Sequence, residues 1–232
     1  MEKTCSAVIV AAGSAQRMRG IDKMRATLCG KTLLEHSVHA LAVCEQIAQI
    51  VLVTREDLLA EAERLQAEEP KLTKVVLGGD SRAVSVLRGL SEIATPLVAV
   101  HDGARPLVTP QIVAQAVQAA AHYGAAAPAV AVRDTIKVVR AGLVERTPDR
   151  STLFAVQTPQ VFDTELLRAA LRAALAQGLP LTDDCSAVEA AGACVHLTQG
   201  SEENLKVTFP SDLALAETIL TGRLHDANRT RL

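Results

Sequence analysis

A chain of 232 residues, 49% hydrophobic and 22% charged, is long enough to bury a substantial core and too apolar to be disordered. Its net charge of −2 and a pI near 6.3 argue against nucleic acid or an anionic membrane surface as the main partner. Three Phe, one Tyr and no Trp leave little from which to build a base-stacking platform, and no apolar run is long enough to span a bilayer.

The first element is an apolar run at 7–10 that reads as a buried strand. It breaks at Gly13 into a small-residue loop carrying Arg17, Arg19 and Lys23. Such a turn can present backbone N–H groups and positive charge to a phosphate chain, or be an ordinary strand–turn with solvated cations. It has neither the Gly-Lys-Ser/Thr ending of a P-loop nor G-x-G-x-x-G, so no ATPase or dinucleotide site is expected. Further strands are predicted at 50–54, 74–77, 97–101 and 125–132, with helices at 32–44, 56–67, 81–93 and 110–122. Thr32 with Glu35 is a capping-box pair, and Leu34, Val38 and Leu41 then share one face. Alternation of this kind predicts a mostly parallel sheet with helices on both faces, a Rossmann-like α/β fold. Ligands of such sheets sit at the carboxyl ends of the strands, so the opening loop and the segment after His101 should share one crevice.

Two strand-end segments can carry chemistry. Asp102, after the 97–101 strand, can hold a divalent cation on a triphosphate, and Arg105 can grip a phosphate bidentately. Alternatively the two form a salt-bridged turn. Gly78 and Gly79 allow close approach to the backbone, and Asp80 or Ser85 could read a base edge, although Asp80 or Ser81 could equally cap the next helix.

Beyond residue 132 the pattern changes. Residues 135–139, a turn at 140–142 and residues 143–146 read as a β-hairpin with Gly142 in the turn. An arm of this size is marginal alone, so it either packs on its own domain or on a second copy of the chain. A strand at 154–161 follows, with Pro159 marking a bulge, an end or a kink. Then come a helix capped by Asp163, a short helix from Asp183 or Asp184 to residue 190 that Thr182–Asp184 would cap, and strands at 193–197 and 205–207. A last helix runs from Pro210 to residue 220. The domain is expected to span 1–221, with an arm at about 133–150 and a flexible tail at 222–232. Lys206, among apolar neighbours, needs an anionic partner, whether a ligand or a structural carboxylate. Cys5, Cys29, Cys44, Cys185 and Cys194 form no C-x-x-C pair, and the N-terminus has no signal-peptide pattern; a reduced, cytoplasmic protein is expected. His101 reads as a hydrogen-bonding residue rather than a base. No nucleophile–base pair stands out, which suits phosphorus chemistry, where the protein mostly positions anions.

In order and spacing the motifs resemble the 2-C-methyl-D-erythritol 4-phosphate cytidylyltransferase family. They are Ala11-Ala-Gly with Arg17 and Lys23, Gly78-Gly-Asp with Arg82 and Ser85, His101-Asp-Gly-Ala-Arg-Pro106, Arg133-Asp-Thr135, Asp149-Arg150, Thr158-Pro-Gln160, Thr182-Asp-Asp with Ser186, and Asn204-Leu-Lys-Val-Thr208. The resemblance implies a nucleotidyltransferase fold and Mg²⁺-dependent transfer of CMP from CTP to methylerythritol phosphate. Arg17, Lys23 and Lys206 would be catalytic. Ala11, Ala12, Gly13, Gly79, Asp80 and Ser85 would surround the nucleotide, and Asp102 would lie at the metal. Arg105 and Thr158, with Thr135 and Arg150 from the partner of a homodimer joined through the arm, would hold the sugar phosphate. Ala15, Asp22 and Met24 depart from the family pattern, and Arg19 or Arg25 could share the role of Lys23. A ribitol- or other polyol-phosphate cytidylyltransferase, and a non-catalytic sugar-nucleotide binder, remain alternatives.

Overall fold

The computed structural model describes residues 4–13 and 22–229, with side chains through residue 225. Arg17 and Arg19 lie outside the described residues.

Four strands form the parallel heart of the sheet: β1 (Cys5–Val10), β4 (Ile47–Thr54), β5 (Leu72–Leu77) and β6 (Leu97–Asp102). β1 is flanked by β4 on one side and β6 on the other, both parallel to it, and β5 follows β4 outward. β7 (Ala125–Ala131) and β11 (Gln160–Asp163) extend the other half, and β11 runs antiparallel between β6 and β7. β10 (Phe154–Val156) also pairs antiparallel with β7, and β12 (His196–Gln199) joins β7 in parallel. The β1, β4 and β6 strands are apolar almost throughout because both sheet faces are covered. Ala7, Ile9, Ile50, Leu52, Leu97 and Ala99 enter one core, and Val8, Val51, Val53, Val98 and Val100 the other. α1 (Leu33–Ala42) and α4 (Pro110–Tyr123) contribute to the first core; α3 (Arg82–Leu90), α5 (Thr164–Ala176) and α6 (Asp184–Ala190) contribute to the second. α2 (Leu59–Glu68) adds Ala62 and Leu65 to the first.

Helix starts follow the expected chemistry. Glu35 N–H donates to Thr32 Oγ1 at 3.2 Å and Thr32 N–H to the Glu35 carboxylate at 2.6 Å, closing the capping box. Asp163 caps α5 and Asp183, not Asp184, caps α6. The expected 154–161 strand is two strands, because Gln157, Thr158 and a cis Thr158–Pro159 bond intervene where Pro cannot extend the ladder. A short hairpin, β2 (Thr27–Leu28) with β3 (Lys31–Thr32), lies between the first loop and α1; two-residue strands carry too little pattern to be read from sequence.

The arm forms as β8 (Val138–Arg140) against β9 (Leu143–Arg146), with Ala141 joining Gly142 at positive φ (48° and 82°) in the turn. Two further expectations fail. Residues 205–207 form no strand; Val207 N–H donates to Ala104 C=O at 2.8 Å, and its side chain is buried as a loop anchor. The last helix, α7 (Pro210–Arg229), continues past residue 220, so 222–229 is helical rather than an irregular tail. Contacts along it explain the extension. The Glu217 carboxylate accepts from Cys29 N–H, where the backbone turns with φ 47°, and Arg223 donates to Leu107 C=O and pairs with Glu203.

Candidate active site

Strand order reverses at β1: the chain moves outward through β4 and β5, then returns to β6 on the other side of β1. Loops leaving the carboxyl ends of β1 and β6 are thereby driven apart in sequence and together in space. Gly103 N–H donates to Val10 C=O at 3.0 Å and Ala11 N–H to Val53 C=O at 2.7 Å, fixing both loop starts to the sheet. The cleft between them measures about 420 Å³ and is lined by Ala11, Ala12, Gly13, Lys23, Gly79, Asp80, Ser85, Asp102 and Lys206, with Met24 and Arg82. Nine residues expected to serve nucleotide, metal or catalysis thus meet in one place.

The wall formed by 78–80 needs glycine for a packing reason. A Cβ on Gly78 would lie 2.3 Å from Ala12 Cβ and 3.0 Å from Ser85 Oγ, so the two loops touch only because position 78 has no side chain. Ser85 holds the same wall from within: its hydroxyl donates to Ser81 C=O at 2.9 Å and accepts from Gly79 N–H at 3.1 Å. With its proton committed, Ser85 can offer a ligand only its remaining lone pair.

Asp102 ends β6 on the cleft floor. Arg82 Nη1 donates to Oδ1 at 2.6 Å and Lys206 Nζ meets Oδ2 at 2.6 Å. Burial alone would raise this carboxyl, but Arg82 and Lys206, with Arg105 nearby, outweigh it and hold it well below the usual carboxylate range. The anionic partner that Lys206 requires is therefore Asp102. The other side of Asp102 is held by a relay. Its N–H donates to Thr158 Oγ1 at 3.1 Å, and Thr158 Oγ1 in turn lies 3.0 Å from His101 Nδ1. His101 Nε2 lies 3.0 Å from Arg105 C=O, which can only accept, so Nε2 carries the proton and Nδ1 accepts from Thr158. Complete burial lowers this imidazole to about 4, outweighing Arg105 C=O and Asp102. His101 is a neutral strut, as its sequence context suggests.

The departures around Lys23 have structural outlets. Asp22 pairs with Arg55 and Arg25 and accepts from Met24 N–H. Arg25 also reaches Asp57 and Glu61, and it is not among the cleft-lining residues, so its charge serves this surface network and not the cleft. Met24 is buried and packs into the core.

Thr158 sits behind Asp102 rather than in the cleft. Arg105 is tethered through Nη1 to Asn204 C=O at 2.6 Å, and its Nε is buried with no partner among the described residues. Thr135 and Arg150 are exposed beside the arm, and Arg150 donates to Arg133 C=O. Among the described residues, Arg105, Thr135 and Arg150 do not line the cleft. Arg82 and Asp184 carry more of the site than their sequence context reveals: Asp184, read as part of a helix cap, is fully buried against Arg82. Only the pairing of positions 82, 102 and 184 in space shows this.

Two carboxylates line the cleft, Asp80 and Asp102, the latter at the strand end between Arg82 and Lys206, and no group of three His, Cys, Asp or Glu side chains gathers among the described residues. A single hard carboxylate oxygen beside exposed backbone fits Mg²⁺, which takes its other ligands from phosphate and water.

A doubly covered sheet, a cleft at its switch point and an acid–lysine pair facing two backbone-lined loops define a nucleotidyltransferase-type α/β protein. A profile of the 2-C-methyl-D-erythritol 4-phosphate cytidylyltransferase family matches residues 5–222. Curated relatives of that name include one from Caldanaerobacter subterraneus, 43% identical over 93% of this chain and 98% of its own, and one from Thermosynechococcus vestitus, 42% identical over 93% and 95%. Among solved structures, 4-diphosphocytidyl-2C-methyl-D-erythritol synthase from Anaerococcus prevotii superposes with TM-score 0.85 at 29% identity, over 95% of this chain and 97% of its own. The cytidylyltransferase from Thermus thermophilus gives 0.75 at 34%, over 95% and 100%. The chain belongs to the 2-C-methyl-D-erythritol 4-phosphate cytidylyltransferase family.

Proposed function

We propose that this protein transfers the CMP moiety of CTP to 2-C-methyl-D-erythritol 4-phosphate, giving 4-diphosphocytidyl-2-C-methyl-D-erythritol and pyrophosphate, in the cytoplasmic non-mevalonate route to isoprenoids. The observation that carries the reading is the convergence of Lys23, Lys206 and Asp102 on one cleft walled by the backbone of 11–13 and 78–80. A phosphate oxygen of the acceptor forms a bond to the α-phosphorus of CTP, and the bond from that phosphorus to the bridging oxygen breaks. Its electron pair leaves on pyrophosphate. No proton need move, which suits a cleft that offers cations to its ligands.

The reactants carry roughly −4 and −2, so the protein's main task is to bring like charges together. Lys23 and Arg17 offset charge on the triphosphate and leaving group, the latter assigned from the sequence alone. Lys206 exchanges Asp102 for a phosphate oxygen. Gly79, Asp80 and Ser85, with Ala11, Ala12 and Gly13, embrace the nucleoside. Asp102 would hold Mg²⁺, which when bound neutralises triphosphate and pyrophosphate charge.

The acceptor's phosphate is held by Arg105, with Thr158 supporting Asp102. Thr135 and Arg150 act from a second copy of the chain. In favour of a homodimer, Ile136, Val139, Leu143 and Val144 on the arm and Phe154 and Val156 beside it are exposed, and a two-stranded arm has no core of its own. Among the described residues no helix is long and apolar enough to cross a membrane.

Pyrophosphate release from CTP with methylerythritol phosphate tests the reading, with ribitol phosphate and other polyol phosphates in parallel. Turnover with methylerythritol phosphate is expected. Turnover with ribitol phosphate alone would reassign the substrate, and CTP binding without turnover on any acceptor would make the protein a binder.

A further inference from the structure

Arg82 opens α3, and its guanidinium lies between two carboxylates far apart in the chain. Nη1 faces Asp102 Oδ1, while Nε (3.2 Å) and Nη2 (2.8 Å) both donate to Asp184 Oδ2. Asp184 is 1% exposed and does not line the cleft that Arg82 and Asp102 line. Its position is fixed through the sheet. Gln160 Oε1 accepts from the Asp184 and Cys185 N–H groups, Gln160 Nε2 donates to Asp183, and Gln160 is paired in register with Val100 of β6. Burial outweighs the pull of Arg82 and raises the Asp184 carboxyl above its ordinary value, so the bonding geometry is what marks it as charged. Oδ2 accepts two N–H groups, the geometry of an ionised acid gripping an arginine edge.

A guanidinium held along one edge by a buried acid cannot swing to a passing phosphate without breaking both of those bonds. We propose that Asp184, acting through Arg82, is a positioning residue for Asp102: it keeps the arginine off the nucleotide's phosphates and offsets its charge, so that Asp102 presents one oriented, negative oxygen to the cation on the nucleotide. The inference rests on the reading that Asp102 holds that cation.

Charge counting gives the idea a signature. Asp102 and Asp184 against Arg82 and Lys206 sum to zero, two negative and two positive. Neutralising Asp184 leaves the cluster with one net positive charge. That repels a divalent cation and attracts a bare triphosphate, so the two binding modes should move in opposite directions. Loss of packing alone would weaken both together.

The test is CTP affinity by calorimetry, with and without Mg²⁺, for the whole protein and for Asp184→Asn, which preserves shape. The gain in affinity conferred by Mg²⁺ should fall about tenfold, the order expected for one unit charge acting on a divalent ion in a partly solvated site, while metal-free affinity stays level or rises. Arg82→Lys is the second variant and carries the test if Asp184→Asn does not fold. It preserves the charge sum but cannot span both carboxylates, and it too should lose the Mg²⁺ gain. An unchanged Mg²⁺ gain in either folded variant, or equal losses with and without the ion, overturns the proposal. Absence of any Mg²⁺ gain in the unaltered protein overturns the Asp102–cation reading beneath it, and that result is identified by the unaltered protein alone.

Discussion

Gly78→Ala is the sharpest probe of the nucleotide wall. The added methyl would sit 2.3 Å from Ala12 Cβ, 3.0 Å from Ser85 Oγ and 3.5 Å from Thr54 C=O. Carbon atoms in contact prefer about 3.5–4.0 Å, so loops 11–13 and 78–80 must part by roughly 1 Å or more. Neither neighbour can rotate away: Ala12 Cβ is fixed to the backbone, and Ser85 is held by Ser81 and Gly79. Overpacking of this kind costs about 1–3 kcal/mol, which for a protein of this size is a fall in Tm of about 3–10 °C. Displacing the nucleotide by that distance should lower kcat/KM for CTP by on the order of 10²-fold. Ala12→Gly removes the clashing methyl, so the Gly78→Ala, Ala12→Gly double variant should recover most of both losses. Steady-state kinetics and thermal melts on the four proteins decide it. A Gly78→Ala protein with the original Tm and kcat/KM, or a double variant no better than the single one, would refute the reasoning.

Three further outcomes follow from the same geometry. His101 is about 4 when folded and 6.5 when free, so between those values the unfolded chain binds more protons and stability falls as pH falls. The loss approaches about 3 kcal/mol by pH 4 and is absent above about pH 7; denaturant titrations should show a shallower slope across that window in His101→Gln. Lys206→Ala and Lys23→Ala should each lower kcat by on the order of 10²-fold; original turnover in either would exclude that lysine from catalysis. Leu143→Asp with Val144→Asp places charge on the exposed arm and should yield a monomer by sedimentation with the far-UV spectrum intact, whereas an unaltered dimer would place the interface elsewhere.

How legible the molecule was depends on where the information lies. The central strands could be read because 50–54 and 97–101 are buried on both faces and have no alternation to confuse with a helix. Thr32 with Glu35 and Asp163 announced helix starts through local hydrogen bonds, which sequence neighbours can encode. Lys206 could be read only as needing an anion, and Asp102 only as standing at a strand end, because nothing local ties position 206 to 102. The same holds for Asp184, whose partner lies 102 residues away. The end of α7 is hidden from the sequence for the converse reason. Its turns beyond residue 220 lack a strong apolar stripe and are supported by polar contacts to distant loops.

Those contacts make α7 a brace. Glu217 grips the hairpin that follows Lys23, while Arg223 reaches the 104–108 segment behind Arg105 and the Glu203 turn that leads to Lys206. One rod therefore ties together the segments that carry Lys23, Arg105 and Lys206, though none of its described side chains lines the cleft. Cutting the chain back to residue 216 would spare every group in contact with substrate and still leave the cations free to drift apart, so a shortened protein should lose rate before it loses its fold.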